Sequence, residues 1–307
     1  MTTLYLDDAA LAGLGITTPE IVTAIEDTLR GLVAGTITAA PKTAAIAPDG
    51  RYMMATLAAS DAAGLIVVKS VLVNDRNKAN GLPGINGAIL LLDSETGQLR
   101  ATLDANWVTA VRTAGLSAVA ARRLADPASR TLGLIGAGVQ GESHLRAFAQ
   151  MFPLEHVAIH SRSQTSVDRL IDIARELGLD AVSATAQAAI SDADIIVSSV
   201  TLNYDTAPFV DARWLKPGAF AAITDLGIPW QPAGQSAFGR IYVDDLEQEK
   251  AMEKPMVAAD LITGDLTGLV VDGAAPDPAR PSAFIFRGIS VGDLAVAALA
   301  YQRATGG

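Results

Sequence analysis

The sequence predicts an α/β fold in which a doubly wound parallel sheet is inserted in a second, discontinuous α+β domain. The first observation is an apolar run at 131–135 that leads directly into a glycine-rich segment at 136–141. The second is the alternation of strand-like and helical segments after it, which is typical of a parallel sheet with right-handed crossovers. The third is the length of 307 residues, which is enough for two domains. Such a sheet is of Rossmann type.

Residues 1–120 carry signals for both helices and strands. A helix begins near Thr18, and its apolar residues recur at helical spacing. Residues 52–103 are β-rich, and within them 65–73 is strongly apolar apart from one lysine. A long alanine-rich helix follows at 108–124.

Residues 121–274 alternate between strand and helix. We predict strands near 131–135, 156–160, 194–199, 219–224 and 240–243, and helices near 140–151, 164–177 and 185–191. After residue 274 we predict a loop, a strand at 283–286 and a final helix at 293–299. The parallel sheet is therefore expected within 121–274, and the discontinuous domain within 1–120 together with 275–307.

The glycine-rich segment matches the G-x-G-x-x-G pattern of dinucleotide-binding folds, in the required place between a strand and a helix. Gly136 permits the tight turn, Gly138 lets backbone amides approach a pyrophosphate, and Gly141 lets the helix pack close to its strand. The helix N-terminus offers unpaired N–H groups to the phosphates. The predicted cofactor-binding residues here are Gly136, Ala137, Gly138, Val139, Gln140 and Gly141. The alternative is a glycine-rich turn in an ordinary α/β unit.

The composition excludes several classes of function. The chain has no cysteine and only three histidines, so we expect neither disulfides nor a metal site. The net charge of −10 and the pI of about 4.7 oppose a nucleic-acid partner. We see no signal peptide, and no uninterrupted apolar segment approaches the length of about 18 residues that would suggest a membrane span. We therefore expect a cytoplasmic protein without a membrane partner.

The end of the second strand of the parallel sheet bears on the choice of cofactor. NAD-selective folds usually carry Asp or Glu there, to bind the ribose 2′-OH. Here the strand leads into Ser161-Arg162-Ser163, where a guanidinium between two serines suits a 2′-phosphate instead. We therefore predict NADP(H) in preference to NAD; in the alternative, Arg162 stacks on adenine or faces solvent. The predicted cofactor contacts also include Thr113, Val200 and Thr201.

Two cations stand in otherwise apolar segments. Lys69 interrupts the apolar run 65–73, and burial of a lysine costs desolvation energy. It can hold a substrate carboxylate or donate a proton with a lowered pKa, or its ammonium can reach solvent along a buried stem. Arg112, inside an apolar helix segment, can clamp a carboxylate at two points or form a structural ion pair. We predict catalytic and substrate-binding roles for both residues.

Several segments together resemble the ornithine cyclodeaminase/mu-crystallin family. The most specific are T-A-V-R-T-A-G-L-S-A-V-A at 109–120 and N-G-L-P-G-I-N-G at 80–87. The glycine motif at 136–141, W-L-K-P-G at 214–218 and V-D-D-L-E at 243–247 add to the resemblance. All of them follow in the order that the family has.

The resemblance implies a dimeric NAD(P)-dependent enzyme that acts on amino acids or their imines, with a substrate domain that forms the dimer interface. The activities implied are ornithine cyclisation with loss of ammonia, alanine dehydrogenation and reduction of cyclic ketimines. We expect NADPH-dependent reduction of a cyclic imino acid such as 1-pyrroline-2-carboxylate, by a homodimer. An ornithine cyclodeaminase, an amino-acid dehydrogenase and a non-catalytic NADP-binding protein remain alternatives.

Three departures from the family bear on the site. Where the family has an arginine after a proline, this chain has Lys42, and Arg51 is a second substrate-binding candidate nearby in sequence. Where the family's cyclodeaminases carry an aspartate two residues before a proline, this chain has Gly227, and Asp225 stands two residues earlier. Asp225 is predicted to bind the substrate amine or act as acid and base, or else to cap the turn after its strand. The segment 286–293 is two residues shorter than the family's loop, which borders the nicotinamide.

Overall fold

The computed structural model describes residues 3–306, except for the side chains of Asp75 and Lys78. This part of the chain divides into two units. The first contains the residues up to Gly115 and those from Ile289 onward, and the second contains Leu116–Gly288. The first unit is therefore formed by two segments of the chain, one before and one after the segment that forms the second unit.

The helices and strands follow one another along both units. As far as residue 124 they are β1 (Leu4–Leu6), α1 (Asp8–Ala12), α2 (Thr18–Ala34), β2 (Ile37–Ala39), β3 (Thr43–Ile46), β4 (Tyr52–Ser60), β5 (Leu65–Val73), β6 (Ile85–Asp93), β7 (Leu99–Asp104) and α3 (Ala105–Leu124). They continue with β8 (Thr131–Ile135), α4 (Val139–Met151), β9 (His156–His160), α5 (Gln164–Glu176), β10 (Asp180–Ser183), α6 (Ala186–Ser191), β11 (Ile195–Ser198), β12 (Phe220–Ile223), β13 (Arg240–Val243), α7 (Leu246–Lys250), β14 (Ile262–Asp265), α8 (Leu266–Val271), β15 (Ser282–Ile285) and α9 (Ser290–Thr305).

The first unit is a seven-stranded sheet with the order β1-β7-β6-β5-β4-β2, in which β3 also pairs with β4. All of these pairs are antiparallel except β1 with β7. Helix α9 packs against β4 and β5, and α2 packs against α9. The helices therefore cover one face of this sheet.

Alternation along the central strands decides which side chains face those helices. Thr56, Lys69 and Ile89 lie opposite one another on β4, β5 and β6, and all three are buried. Their neighbours Leu57 and Leu90 point to the other face and are 45% and 37% exposed. The sequence pattern therefore places a lysine on the covered face of the sheet.

The second unit is an eight-stranded, entirely parallel sheet with the order β10-β9-β8-β11-β12-β15-β13-β14. Strands β11, β12 and β15 are buried along their whole length, as expected when both faces of a parallel sheet are covered. The predicted Rossmann-type parallel sheet is confirmed. The strand order reverses beside β8, and ligands of such sheets bind where the order reverses, at the carboxyl ends of the strands.

The strand predicted at 283–286 lies in a different domain from the one we expected. The sequence boundary at 275 assigned it to the discontinuous domain, whereas β15 pairs with β12 and β13 in the middle of the parallel sheet. The boundaries of the second unit accordingly fall at 116 and 288, not at 121 and 274. A strand that is buried along its whole length completes the core of the parallel sheet, and the polar loop that precedes it is only the connection leading into it.

The longest helix is α3, with 20 residues, and it is interrupted by polar and charged side chains. Across residues 3–306, no helix combines the length and the apolar character that crossing a bilayer requires.

Candidate nucleotide and carboxylate sites

The glycine-rich turn after β8 is packed so closely that two of its positions require glycine. Gly136 has a φ of +109°, which side chains other than glycine rarely adopt, and a Cβ there would lie 2.6 Å from the carbonyl oxygen of Ser199. A Cβ on Gly141 would lie 2.5 Å from the carbonyl oxygen of Gly136. The absence of side chains at these positions allows α4 to begin directly against the end of β8.

Gly138 instead borders open space. A Cβ on it would have no neighbour within 4 Å in the described part of the chain. Gly138 is the N-cap of α4, so the unpaired N–H groups of the first turn lie close to this space. Val139 is largely exposed beside it, and the buried side-chain oxygens of Gln140 and Ser199 have no hydrogen-bond partner within residues 3–306. Helix N–H groups and buried polar atoms beside an open space fit the phosphates of a dinucleotide.

The carboxyl end of β9 lies directly beside this turn, because the N–H of Gly136 donates to the carbonyl oxygen of His160 at 2.8 Å. Ser161, Arg162 and Ser163 follow, and the Arg162 side chain is exposed. Ser163 is the N-cap of α5 and accepts the N–H of Ser166 at 3.3 Å. Arg162 thus follows by two residues the strand end that contacts the glycine turn, and no carboxylate stands at this strand end.

Asp225 follows β12 at the same edge of the parallel sheet, and its side chain is fully buried. It accepts a short hydrogen bond from the hydroxyl of Ser198 and another, of 3.0 Å, from the N–H of Val200. Burial raises the pKa of its carboxyl to about 6, because desolvation outweighs these hydrogen bonds. Asp225 thus ties the loop that contains Val200 and Thr201 to the loop after β12. This geometry favours the turn-capping alternative over direct acid–base contact with a substrate.

Gly227, at the position of the family's aspartate, lies in a tight turn. Leu226 and Gly227 have φ values of +60° and +71°, and the N–H of Ile228 donates to the carbonyl oxygen of Asp225 at 3.1 Å. Positive φ at both central residues is the signature of a type I′ turn. A left-handed backbone is uncommon for a residue as bulky as Leu226, so the surrounding structure must hold this turn.

Lys69 lies on the helix-covered face of β5 with no exposed surface. Its Nζ donates to Asp293 Oδ1 at 2.7 Å, and Thr56 Oγ1 donates to Asp293 Oδ2 at 2.9 Å. Asp293 stands in the first turn of α9, where the helix dipole favours a negative charge. The ammonium of Lys69 is therefore held by a carboxylate of the protein itself, and a substrate reaches it only after neighbouring side chains shift.

Arg112, on α3, brings a second cation to the same carboxylate. Its Nε lies 3.1 Å from Asp293 Oδ1, within ion-pair distance, although its N–H is not aligned for a hydrogen bond. The Arg112 side chain keeps 9% of its surface exposed, whereas Lys69 keeps none. Arg112 thus keeps the largest exposed fraction in the cluster of Lys69, Arg112 and Asp293, and this cluster carries one positive charge more than it has negative charges.

The charges in this cluster shift the pKa values of its members. Burial, followed by repulsion from Arg112, lowers the pKa of Lys69 to about 8, and attraction by Asp293 offsets only part of this. The pKa of Asp293 lies below its usual value. Burial raises this pKa, but the positive charges of Lys69 and Arg112 lower it by more. At neutral pH the cluster therefore contains an ammonium, a guanidinium and a carboxylate.

The two other substrate-binding candidates lie in different surroundings. Lys42, half-buried between β2 and β3, is close enough for its charge to contribute to the lowered pKa of Lys69. The guanidinium of Arg51 instead pairs with Asp49 at 2.9 Å, in the turn between β3 and β4. Arg51 is half exposed there, so its predicted role in replacing the family's arginine gains no support from its position.

Thr113 and the shortened C-terminal segment complete the predicted set. Thr113 is buried in α3, and its hydroxyl donates to the carbonyl oxygen of Thr109 at 2.6 Å. The backbone N–H groups of Arg287 and Gly288 donate to Asp244 Oδ2 at 3.1 and 2.7 Å. The shortened segment is thus fixed by a buried aspartate.

Within the described residues, no group of three or more His, Asp or Glu side chains can hold a metal ion.

Sequence reasoning missed Asp293. It lies 224 residues from Lys69 in sequence and follows the apolar segment that leads into α9. A signal was present, because it is the one acidic residue of a long helix whose other side chains are mostly small or apolar. A buried lysine also demands a partner carboxylate somewhere in the chain.

The fold and these two sites define a Rossmann-type α/β protein with a second domain that carries a buried cationic cluster. The model of the family described as "Ornithine cyclodeaminase/mu-crystallin family" matches residues 9–307. The ketimine reductase mu-crystallin of Rattus norvegicus is 30% identical over 256 residues, which are 81% of this chain and 79% of that protein. The chain therefore belongs to the ornithine cyclodeaminase/mu-crystallin family, as the sequence motifs predicted.

Two further similarities concern named reductases. The Delta(1)-pyrroline-2-carboxylate reductase of Paracoccus denitrificans is 30% identical over 237 residues, which are 71% of this chain and 72% of that protein. The structure of Thermococcus litoralis Delta(1)-pyrroline-2-carboxylate reductase, in complex with NADH and L-proline, is similar with a TM-score of 0.90 at 22% identity. That similarity covers 99% of this chain and 98% of the other.

Proposed function

We propose that the protein is an NAD(P)H-dependent imine reductase that reduces the C=N bond of a cyclic imino acid such as 1-pyrroline-2-carboxylate. The observation that carries this proposal is the convergence of Lys69 and Arg112 in one buried cluster with a net positive charge. Such a cluster suits a substrate that carries one carboxylate. The glycine turn and the N-terminus of α4 supply the matching features for a dinucleotide.

In the proposed reaction the nicotinamide, when bound, supplies a hydride to the imine carbon. Arg112, whose side chain keeps a small exposed fraction, binds the substrate carboxylate, and the charge of the neighbouring Lys69 strengthens that attraction. The imine nitrogen takes up one proton, from Lys69 Nζ or from a water. Lys69 holds a proton to give at neutral pH, because its pKa is about 8. The product of 1-pyrroline-2-carboxylate is then proline.

The cyclodeaminase alternative is disfavoured by one specific position. Gly227 stands where that chemistry has an aspartate, and Asp225 is enclosed by Ser198 and Val200. Release of ammonia from ornithine without net reduction of cofactor would identify a cyclodeaminase. Tight NADPH binding without turnover on a panel of imines and amino acids would identify a non-catalytic binding protein.

Oxidation of NADPH on addition of 1-pyrroline-2-carboxylate, followed by the loss of NADPH absorbance, tests the function directly. Lys69→Met and Arg112→Met are each expected to lower kcat/KM by at least about 100-fold, because each removes one of two cations from a dehydrated site. Arg175→Met is the control, since Arg175 is an exposed arginine that pairs with Asp172 on α5. Unchanged kcat/KM in both site variants would refute the assignment.

Within this function we propose NADPH as the preferred cofactor, on the strength of the exposed Arg162 next to the glycine turn. Arg162→Ala is expected to weaken NADPH binding by about 10-fold or more, through the loss of a charged phosphate contact, and to leave the Kd of NADH nearly unchanged. Equal weakening of both cofactors would show that Arg162 stacks on adenine instead. Tighter binding of NADH by the unaltered protein would overturn the preference.

We further propose that the protein is a homodimer that pairs through the uncovered face of its first-unit sheet. A row of neighbouring side chains on this face runs through Leu57, Val68, Leu90, Thr102 and Tyr5. Leu57, Leu90 and Tyr5 in this row are large and exposed. An exposed sheet face with several large apolar side chains is typical of a surface that another protein copy covers.

A further inference from the structure

We propose that Asp293 is a positioning residue of the carboxylate site, a role that rests on the proposed function. It holds the Lys69 ammonium and the Arg112 guanidinium in one place and cancels one of their two charges. The site is thereby set to accept a single additional carboxylate, that of the substrate. Asp293 contacts the two cations and not the reacting atoms.

The geometry places Asp293 between the elements that carry the cations. Lys69 comes from β5, Arg112 from α3 and Asp293 from α9, and both cations lie within 3.1 Å of one oxygen, Asp293 Oδ1. The other oxygen accepts the hydroxyl of Thr56 at 2.9 Å, which fixes the plane of the carboxylate. Asp293 itself is fully buried, so its orientation follows from these contacts and not from solvent.

Charge balance explains why this position requires an acid. Without Asp293, Lys69 and Arg112 would be two like charges enclosed together, with the charge of Lys42 adding to the repulsion. Lys69 would then lose its proton at neutral pH, because an opposite charge within a few ångströms is what favours its charged form. The carboxylate therefore keeps Lys69 protonated and leaves a net charge of one for the substrate.

A contribution to stability alone explains the arrangement poorly. Buried ion pairs are often no more stabilising than apolar residues of similar volume, because desolvation offsets their attraction. The charges of the cluster also do not cancel. Two cations contact one carboxylate, although a single cation would complete an ion pair. An excess cation at the partly exposed end of the cluster has a use if an anion arrives there.

The test is Asp293→Asn, compared with the unaltered protein over about pH 5 to pH 10. We expect kcat/KM for 1-pyrroline-2-carboxylate at neutral pH to fall by about 100-fold, because the cations lose their fixed positions and Lys69 loses its proton. The alkaline limb of the pH profile moves to lower pH by about one unit or more. Part of the loss is recovered at acidic pH, where Lys69 is protonated again. The Kd of NADPH stays within about twofold of its original value.

Two further variants separate positioning from folding. Glu26→Gln is the control, because Glu26 is also a buried carboxylate of the first unit that pairs with an arginine, Arg30. It is expected to keep both the KM and the alkaline limb. Thr56→Val keeps the charge of Asp293 and removes only the hydroxyl that orients it, so KM is expected to rise while the alkaline limb stays near its original pH. This variant remains informative if Asp293→Asn does not fold.

Binding of L-proline to the protein with NADP⁺, measured by calorimetry, separates this proposal from the proposed function. If the unaltered protein reduces no imino acid but Asp293→Asn weakens proline binding in the same pH-dependent way, the positioning role stands and the reductase function fails. An Asp293→Asn protein with the original KM and alkaline limb would overturn the positioning role. So would a loss of activity that is equal at every pH, or an unchanged KM in Thr56→Val.

Discussion

Gly138 and Gly141 belong to one sequence motif, but a methyl group would meet different surroundings at the two positions. At Gly141 the Cβ would press on the carbonyl oxygen of Gly136 at 2.5 Å, a backbone atom that cannot move aside. At Gly138 it would enter the open space beside the first turn of α4. Gly141 is thus required by the packing of the fold, whereas Gly138 borders a space that the described part of the chain does not fill.

This difference predicts opposite outcomes for two alanine variants. Gly141→Ala is expected to lower the free energy of unfolding by about 1–3 kcal/mol, through overpacking. Gly138→Ala, its matched control, costs at most about 1 kcal/mol at a helix cap. We expect Gly138→Ala to weaken NADPH binding by about 10-fold or more, because the methyl group blocks phosphate contacts. Urea unfolding and fluorescence titration with NADPH measure the two effects. Equal losses of stability would contradict this interpretation.

The two cations of the buried cluster stand out in the sequence, but their common partner Asp293 does not. Lys69 and Arg112 stand out because each interrupts an apolar segment, where a charge is costly. Asp293 interrupts an apolar segment as well, yet its distance of 224 residues from Lys69 conceals the contact. Only the packing of α9 on β4 and β5 brings the charges together.

At the level of elements, a buried histidine joins the two helices that carry the family motifs. His144 Nε2 lies 2.8 Å from Ser117 Oγ of α3, and its Nδ1 lies 2.7 Å from the carbonyl oxygen of Gln140. His144 is fully buried, and desolvation lowers its pKa to about 4. The joint between α3 and α4 therefore depends on a neutral imidazole.

This joint predicts a loss of stability in acid. The unfolded chain binds a proton at His144 below about pH 6.5, whereas the folded chain does so only near pH 4, so stability falls as the pH drops through this window. The expected contribution is about 3 kcal/mol. His144→Gln should flatten the pH dependence of unfolding between these values.

Val197→Ala is the control for the acid effect. It removes buried methyl groups from β11 and contains no titrating group, so it should lower stability by a similar amount at every pH. Urea unfolding at several pH values measures both variants. A His144→Gln protein with the original slope would show that His144 does not limit acid stability.

The strands show where sequence patterns suffice and where they do not. The strands at 131–135 and 156–160 were predicted with the bounds that β8 and β9 have, because each contains a short apolar run and is flanked by turn residues. Strand β15 was recognised as a strand but assigned to the wrong domain. An apolar run reveals that a strand is buried, and nothing in it specifies which neighbours it pairs with.

At the scale of the whole molecule, the uncovered sheet face is the feature that one chain alone leaves unexplained. Leu57 and Leu90 are exposed on that face, while Thr56 and Ile89 beside them are buried on the other. The face that the helices of the first unit leave uncovered therefore carries large apolar side chains. A second copy of the chain would cover the other and remove this apolar surface from water.

The dimer proposal predicts that one charge on this face separates the subunits. Leu57→Asp is expected to raise the dimer Kd by about 100-fold or more, because an unpaired carboxylate would be buried on association. The folded protomer should be little affected, since Leu57 is 45% exposed within it. Val182→Asp is the matched control, because Val182 is an exposed apolar residue of β10 in the parallel sheet. Sedimentation velocity should show a dimer for the unaltered protein and for Val182→Asp, and a monomer for Leu57→Asp. A monomeric unaltered protein, or a Leu57→Asp protein that remains dimeric, would place the contact elsewhere or exclude it.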